Sequence, residues 1–208
     1  MLHQPEPPVS AVRTVRELVV TKPAIVLGSS QSADDIDPDL AHDRGIDIAR
    51  RRSGGGAVLL VPDEHVWFDF WLPSHDPLWV DDVGRAGDWL AGVWSEALGA
   101  LGQVGLGAHT GPMLHSEWSA RVCFAGLGPG EVTATALGVT RKLVGVSQRR
   151  TRDWACFQCV VHRRWDAAAT FAVLSASGAS EAGEQWAQRV AEIGDAPMRR
   201  HLELILSR

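Results

Sequence analysis

Three consecutive arginines, Arg50, Arg51 and Arg52, run through Ser53 into Gly54, Gly55 and Gly56 and then into the apolar Ala57 and Val58. Glycine has no Cβ and tolerates positive φ, so such a run lets backbone N–H groups approach a ligand more closely than other residues allow. Arginine adds planar donors that match phosphate or carboxylate. The chemistry on offer is capture of an oxygen-rich group; the plainer reading is a tight glycine turn between two strands with the arginines in water. Cys156 and Cys159 form a Cys-x-x-Cys. Zinc would need a second ligand pair, and redox use expects the motif at a helix N-terminus in a βαβ unit. The sequence offers neither, so no metal site is expected. Cys123 and Lys142 also carry chemistry, although a lone free cysteine is most often buried and inert.

Three ordered motifs decide between these readings. Ala24 to Gly28 leads into Ser29, Ser30 and Gln31, a strand ending in Gly-x-x-Gln; the Arg50–Val58 run follows as Arg-Arg-x-x-Gly-Gly-Gly-x-Val; and Lys142-Leu143-Val144-Gly145 supplies a Lys-x-x-Gly strand. In these residues the chain resembles the lipoate-protein ligase and octanoyltransferase superfamily, over roughly residues 12 to 175. The resemblance implies an α+β fold, biotin/lipoyl ligase-like and thus class II synthetase-like: a mixed, mostly antiparallel sheet flanked by helices. It implies that Lys142 lies beside the acyl carbonyl, where a fixed ammonium offsets charge developing on oxygen. It places Cys123, followed by Phe124, where cysteine-dependent octanoyltransferases carry the acyl group as a thioester. The acyl and substrate contacts it implies are Gln31, Arg51, Arg52, Ser53, Gly54, Gly55, Gly56, Ala57, Gly145 and Gln158.

The chain also departs from the family pattern. Gln158-Cys159 stands where the family has His-Gly, Leu60 to His65 replaces a His-Asp-x-Gly-Asn, and the Asn-Asp pair of the ligases is missing ahead of the lysine strand. Nucleotide with magnesium needs hard oxygen ligands, and no Walker loop replaces those lost. The reading is therefore an acyltransferase that needs no cofactor. An acyl carrier protein or lipoate donor supplies the chain, Cys123 holds it, Lys142 and the amides near Gly54 to Gly56 stabilise the oxyanion, and a lipoyl-domain protein accepts. The alternatives are a lipoate-protein ligase using ATP and Mg, and a catalytically silent acyl- or lipoyl-binding protein.

Composition is consistent with that class. The 208 residues are 45% hydrophobic, enough for a real core, and no run reaches the roughly 18 to 20 apolar residues of a membrane span. The net charge of −5 argues against a nucleic-acid partner, which needs a concentrated basic surface. The N-terminus is polar and Pro-rich without an apolar signal core, and three cysteines are an odd count suited to a reducing compartment, so a cytoplasmic location is expected. Residues 1–11 are expected to be flexible and 12–208 to form a single catalytic domain, with too little chain after residue 175 for a C-terminal accessory domain. The nine tryptophans suggest packing and no specific chemistry.

The elements that must position these residues follow from periodicity. Strands are expected at 24–28, 46–50, 58–61 and 65–72, the last two forming an antiparallel hairpin around Pro62-Asp63-Glu64. A short helix spans 37–45, and Ala86, Trp89, Leu90, Val93, Trp94, Ala97, Leu98 and Leu101 mark one face of a helix over 82–101. Later strands are expected at 121–124, 131–134, 142–149 and 156–161, and helices at 166–174, 181–193 and 197–206. The absence of regular βαβ alternation favours α+β.

Overall fold

Two β-sheets face each other across the centre of the molecule, and each is covered on its outer face by helices. The computed structural model describes residues 6–9, 11–195, 198 and 202. The larger sheet has six strands in the order β1-β5-β9-β8-β7-β6, all pairings antiparallel. Its strands are β1 (Thr14–Leu18), β5 (His65–Pro73), β6 (Leu106–Ala108), β7 (Val132–Ala136), β8 (Val139–Arg150) and β9 (Trp154–His162). The smaller sheet has three, in the order β3-β2-β4: β2 (Ala24–Leu27), β3 (Asp47–Arg50) and β4 (Val58–Leu60). Strands β2 and β3 are parallel because the helix α1 (Pro38–Asp43) crosses between them.

Strand alternation sorts the side chains into layers. On β5, Val66, Phe68, Phe70 and Leu72 point to one core together with Ala155, Phe157, Cys159 and Val161 of β9, and α2 (Asp88–Ala100) packs on that face through Leu90, Ala91, Trp94, Ala97 and Leu98. The opposite face of the same strands carries Trp67 and Val160. These meet Val26, Val58 and Leu60 of the small sheet in a separate cluster that includes Phe124. Ile25, Leu27 and Leu59 of the small sheet point the other way, onto Phe171 of α3 (Ala167–Phe171) and Ala179 and Ala182 of α4 (Ala179–Trp186). The site lies between the two sheets.

The α+β class and the mixed, mostly antiparallel sheet match the expectation. Several local expectations do not hold. Strands β4 and β5 form no hairpin, because β4 pairs with β2 and β5 with β1 and β9. The Pro62–Glu64 connection, with Asp63 at φ 62°, carries the chain from one sheet to the other. The helix expected from residue 82 starts at Asp88, since the Asp82 carboxylate accepts from the Gly84 N–H and holds a turn in its place. Residues 121–124 form no strand: Val122 makes one parallel bridge to Ala57, then a 3₁₀ turn spans Cys123–Ala125. The helix expected over 181–193 ends at Trp186, because the following chain pairs with Lys142, whose N–H donates to the Arg189 carbonyl and whose carbonyl accepts from Ala191. Strands β1 and β6 were not foreseen. Most of the helix expected at 197–206 lies outside the described residues, as does most of the expected N-terminal segment.

Candidate active site

Cys123 sits where two spaces meet. It lines a narrow, mainly apolar cavity between the sheets with Val26, Val58, Leu60, Trp67, Phe124 and Val160, whose free interior is about 30 Å³. It also lines a wider cleft walled by Gly54, Gly55, Gly56, Glu131, Lys142 and Ser147. Its place is fixed by backbone pairing: the Cys123 N–H donates to the Ala57 carbonyl at 2.8 Å and the Ala57 N–H to Arg121 at 2.8 Å. The cysteine is thereby tied to the exit of the glycine loop, and its side chain is partly exposed.

The glycine loop is organised from within by Arg51. This side chain is buried, and it donates to the carbonyls of Val26 at 3.0 Å, Gly54 at 2.7 Å and Gly56 at 2.8 Å. The capture of an oxygen-rich group expected of the arginine run does not describe these nitrogens, which bond backbone carbonyls of β2 and of the loop, while the side chain lines the apolar cavity. Among the described residues no carboxylate lies within ion-pair distance of it. Burial holds the Arg51 guanidinium below its ordinary range, and the charge of the Cys123 sulfur draws it back. Arg50 also points to backbone, bonding the carbonyls of Gly28 at 2.7 Å and Gln31 at 2.6 Å, whereas Arg52 is exposed. Arginines elsewhere in the chain meet separate local partners: Arg141 the Gln188 carbonyl, Arg150 the Trp79 ring and Asp81, Arg164 Glu64.

The glycines have distinct reasons. A Cβ at Gly28 would lie 1.8 Å from the Gly55 carbonyl, and one at Gly56 within 2.8 Å of the backbone of Arg121 and Val122. Gly55 has φ +94°, where an L side chain is strained. Gly54 has open space around it. Among the described residues no backbone hydrogen bond engages the N–H groups of Gly54, Gly55 or Gly56. With the carbonyls of Gly54 and Gly56 turned onto Arg51, these amides are the loop's unspent donors.

Lys142 is buried and has three acceptors: the Glu131 carboxylate at 2.7 Å and the carbonyls of Cys123 at 3.0 Å and Gly126 at 2.9 Å. An ammonium has three donors, and these contacts use all of them. The register of β7 on β8 shifts at Val132/Thr133, opposite this residue, an irregularity of the kind that re-aims a side chain next to a site. Glu131 accepts in addition from the N–H groups of Gly128 at 2.7 Å and Val146 at 2.9 Å. Its role was not foreseen, and only its place before β7 could have drawn attention to it.

A buried polar chain forms the back wall. Ser53 bonds Ser147 at 2.9 Å and donates to Gln158 Oε1 at 2.9 Å; Gln158 donates to Asp69 at 3.3 Å, which also accepts from the Trp67 indole at 3.1 Å. Asp69, in the middle of the apolar β5, was the visible signal of this network and was passed over. Gln31 stands behind the loop, accepting from the Gly28 N–H and donating to the Arg121 carbonyl, and so touches scaffold. Gly145 lines the cavity, where a Cβ would strike the Phe124 ring at 2.9 Å. Cys156 and Cys159 are buried on opposite faces of β9, their thiols pushed far up by burial with the charge of Asp69 adding to it. They form no pair. His162 lies under Phe124, ring centroids 4.3 Å apart, buried and held neutral by burial and by the charges of His65 and Lys142. Neither histidine lines the cavity or the cleft.

Residues 10–201 match the lipoyl protein ligase A/B catalytic domain. The chain belongs to that family. It is an enzyme of lipoyl or octanoyl transfer in protein lipoylation. The fold is similar to that of the bipartite lipoate protein ligase of Thermoplasma acidophilum, solved with its E2 lipoyl domain, at TM-score 0.67 and 19% identity over 94% of this chain and 69% of that one. It is similar also to the T. acidophilum protein Ta0514 with bound lipoic acid, at TM-score 0.66, 18% identity and coverage of 93% and 69%. A lipoate-protein ligase A bound with ATP matches at TM-score 0.66 and 18% identity, with coverage of 93% and 69%. No curated protein sequence matches the chain significantly. Among the described residues no helix is long and apolar enough to cross a membrane.

The lipoate-protein ligase A above is bound with ATP, and ATP with magnesium is the group expected if this chain is a ligase. Among the residues lining the cleft, Glu131 is the one carboxylate, and its two oxygens are taken by Lys142, Gly128 and Val146. No cluster of three His, Cys, Asp or Glu able to hold a metal occurs among the described residues. The donor set does not fit a carboxylate-held magnesium.

Proposed function

We propose that this family member transfers an octanoyl or lipoyl group through a thioester on Cys123. The observation that carries the reading is the position of that sulfur at the junction of a narrow apolar seam, which an acyl chain enters by parting its side chains, with a glycine-lined cleft open to donors and acceptors. The thiolate is the nucleophile. Lys142 has its charge offset by Glu131, whereas Arg51, which has no carboxylate partner among the described residues, shares the apolar cavity with Cys123.

The donor is a thioester on an acyl carrier protein, with the chain in the cavity and the carbonyl at its mouth. The Cys123 thiolate attacks the carbonyl carbon, a C–S bond forms, and collapse of the tetrahedral adduct expels the carrier's thiolate. The amides of Gly54 to Gly56 stabilise the oxyanion. Lys142, its charge offset by Glu131, holds the Cys123 and Gly126 carbonyls and so positions the turn that carries the cysteine. The lysine amine of a lipoyl domain then attacks the Cys123 thioester; a C–N bond forms, the Cys123 thiolate departs, and the surplus proton of the amine passes to solvent. Incubation with octanoyl-carrier protein should give an intact mass raised by one octanoyl group, mapped to Cys123 and lost in Cys123→Ser. Turnover that requires lipoate plus ATP and survives Cys123→Ser would return the ATP-dependent ligase to first place, and acyl binding without either would leave a silent binding protein.

A further inference from the structure

Beyond the apolar cavity lies a second, larger space, an open groove whose inner end is apolar, with Leu18, Ala24, Leu60 and Trp67, and whose lining also includes Thr21, Lys22 and Asp47. Leu60 and Trp67 also line the Cys123 cavity. The strand order explains why these two stand between them. In the large sheet Trp67 is paired with Val160, which lines the cavity, on one side and with Leu18, which lines the groove, on the other. In the small sheet Leu60 is opposite Ala24 on the groove side, while the next inward-facing pair, Val58 and Val26, belongs to the cavity. Both dividers are buried, and both belong to the apolar cluster shared by the two sheets. The Trp67 indole is fixed by its hydrogen bond to Asp69, itself held by Gln158, so the ring is a positioned wall.

We propose that Leu60 and Trp67 form the end stop that sets acyl chain length, and that the groove past them accepts the tail of a long-chain acyl group once the stop is reduced. The inference rests on the cavity being the acyl site. A chain seated with its carbonyl at Cys123 runs between Val26, Val58 and Val160 and meets Leu60 and Trp67 at its far end. Each further methylene then has no apolar space to enter, although a wider groove of mixed lining opens a side chain away. The specificity for a medium chain is thus a property of two residues outside the reacting centre.

The test is calorimetric titration of hexanoate, octanoate, decanoate and dodecanoate into the full chain and into Trp67→Ala and Leu60→Ala, which needs no turnover. For the parent, affinity should rise about fourfold per methylene to octanoate, the gain of burying a methylene, then level or fall. In either variant that retains the parent's circular dichroism, the rise should continue, so that dodecanoate binds about tenfold or more tighter than octanoate. A parent whose affinity climbs through dodecanoate without a ceiling overturns the stop, as do folded variants that keep the parent's ceiling while binding octanoate normally. A parent that binds none of the four acids removes the acyl site itself, and the stop with it.

Discussion

The side chains around Cys123 divide their work by charge. Lys142 and Glu131 form a buried pair whose remaining polar atoms are bonded to backbone, the condition under which such a pair is tolerated. Truncating one member leaves the other unpaired, so Lys142→Ala should lose stability, by about 3–5 kcal/mol, as well as rate, because the Cys123 and Gly126 carbonyls lose the group that positions them. Adding Glu131→Gln to Lys142→Met removes the orphaned charge and should restore part of the stability without restoring turnover. Urea denaturation and initial rates on the same preparations separate the two effects; a stable Lys142→Ala would show that the pair is not a structural support. His162 permits a second forecast. Burial chiefly, with the charges of His65 and Lys142, holds its folded pKa well below the ordinary value, so the unfolded chain binds the extra proton. Stability should then be full above about pH 6.5 and fall as pH drops below it, by up to about 1.4 kcal/mol per pH unit for one group. His162→Leu should flatten that slope in denaturation curves between pH 5.5 and 7.5, and an unchanged slope would place the proton elsewhere.

Among the elements, the glycine loop separates conformational need from free space. Gly54→Ala should bind octanoate as the parent does, since its Cβ meets nothing, whereas Gly55→Val, at φ +94°, should lose binding through strain in the loop. Titration of both variants checks the contrast, and equal affinity would mean that the loop is only a turn. The motifs that mark this loop, the lysine strand and the Cys-Phe pair were legible because their spacing is carried by local backbone requirements. The apolar alternation of β5 and β9 was legible for the same reason. Strand partners were not. A short Pro-Asp-Glu connection suits a hairpin, yet β4 and β5 enter different sheets, because pairing is decided by which faces must be buried together and not by connection length. Glu131 and Asp69 were missed because their partners are distant in sequence, Val146 and Lys142 for one and Gln158 for the other. The inward turn of Arg51 is not legible because two of the carbonyls it holds belong to a loop whose path the sequence does not specify, and the third, Val26, is distant in sequence.

At the scale of the whole molecule, the site is the space left where two sheets, each satisfied by helices on its outer face, meet over a partly filled apolar seam. A ligand that fills the seam binds the folded chain alone. At about a hundred times its dissociation constant, octanoate should add about 2.7 kcal/mol to the unfolding free energy, visible as a rise in melting temperature that hexane-1,6-diol at equal concentration does not reproduce. No rise would mean that the seam is closed to acyl chains. The central claim is covalent, however, and binding alone does not reach it. The most direct measurement is a chase of the isolated intermediate: protein loaded with labelled octanoyl on Cys123, freed of donor, is mixed with a lipoyl domain and quenched on the millisecond-to-second scale. The account predicts that label leaves Cys123 and appears on the acceptor lysine at least as fast as steady-state turnover, without ATP. Label that stays on Cys123 while turnover from fresh donor proceeds, or that moves only when ATP is added, would contradict it.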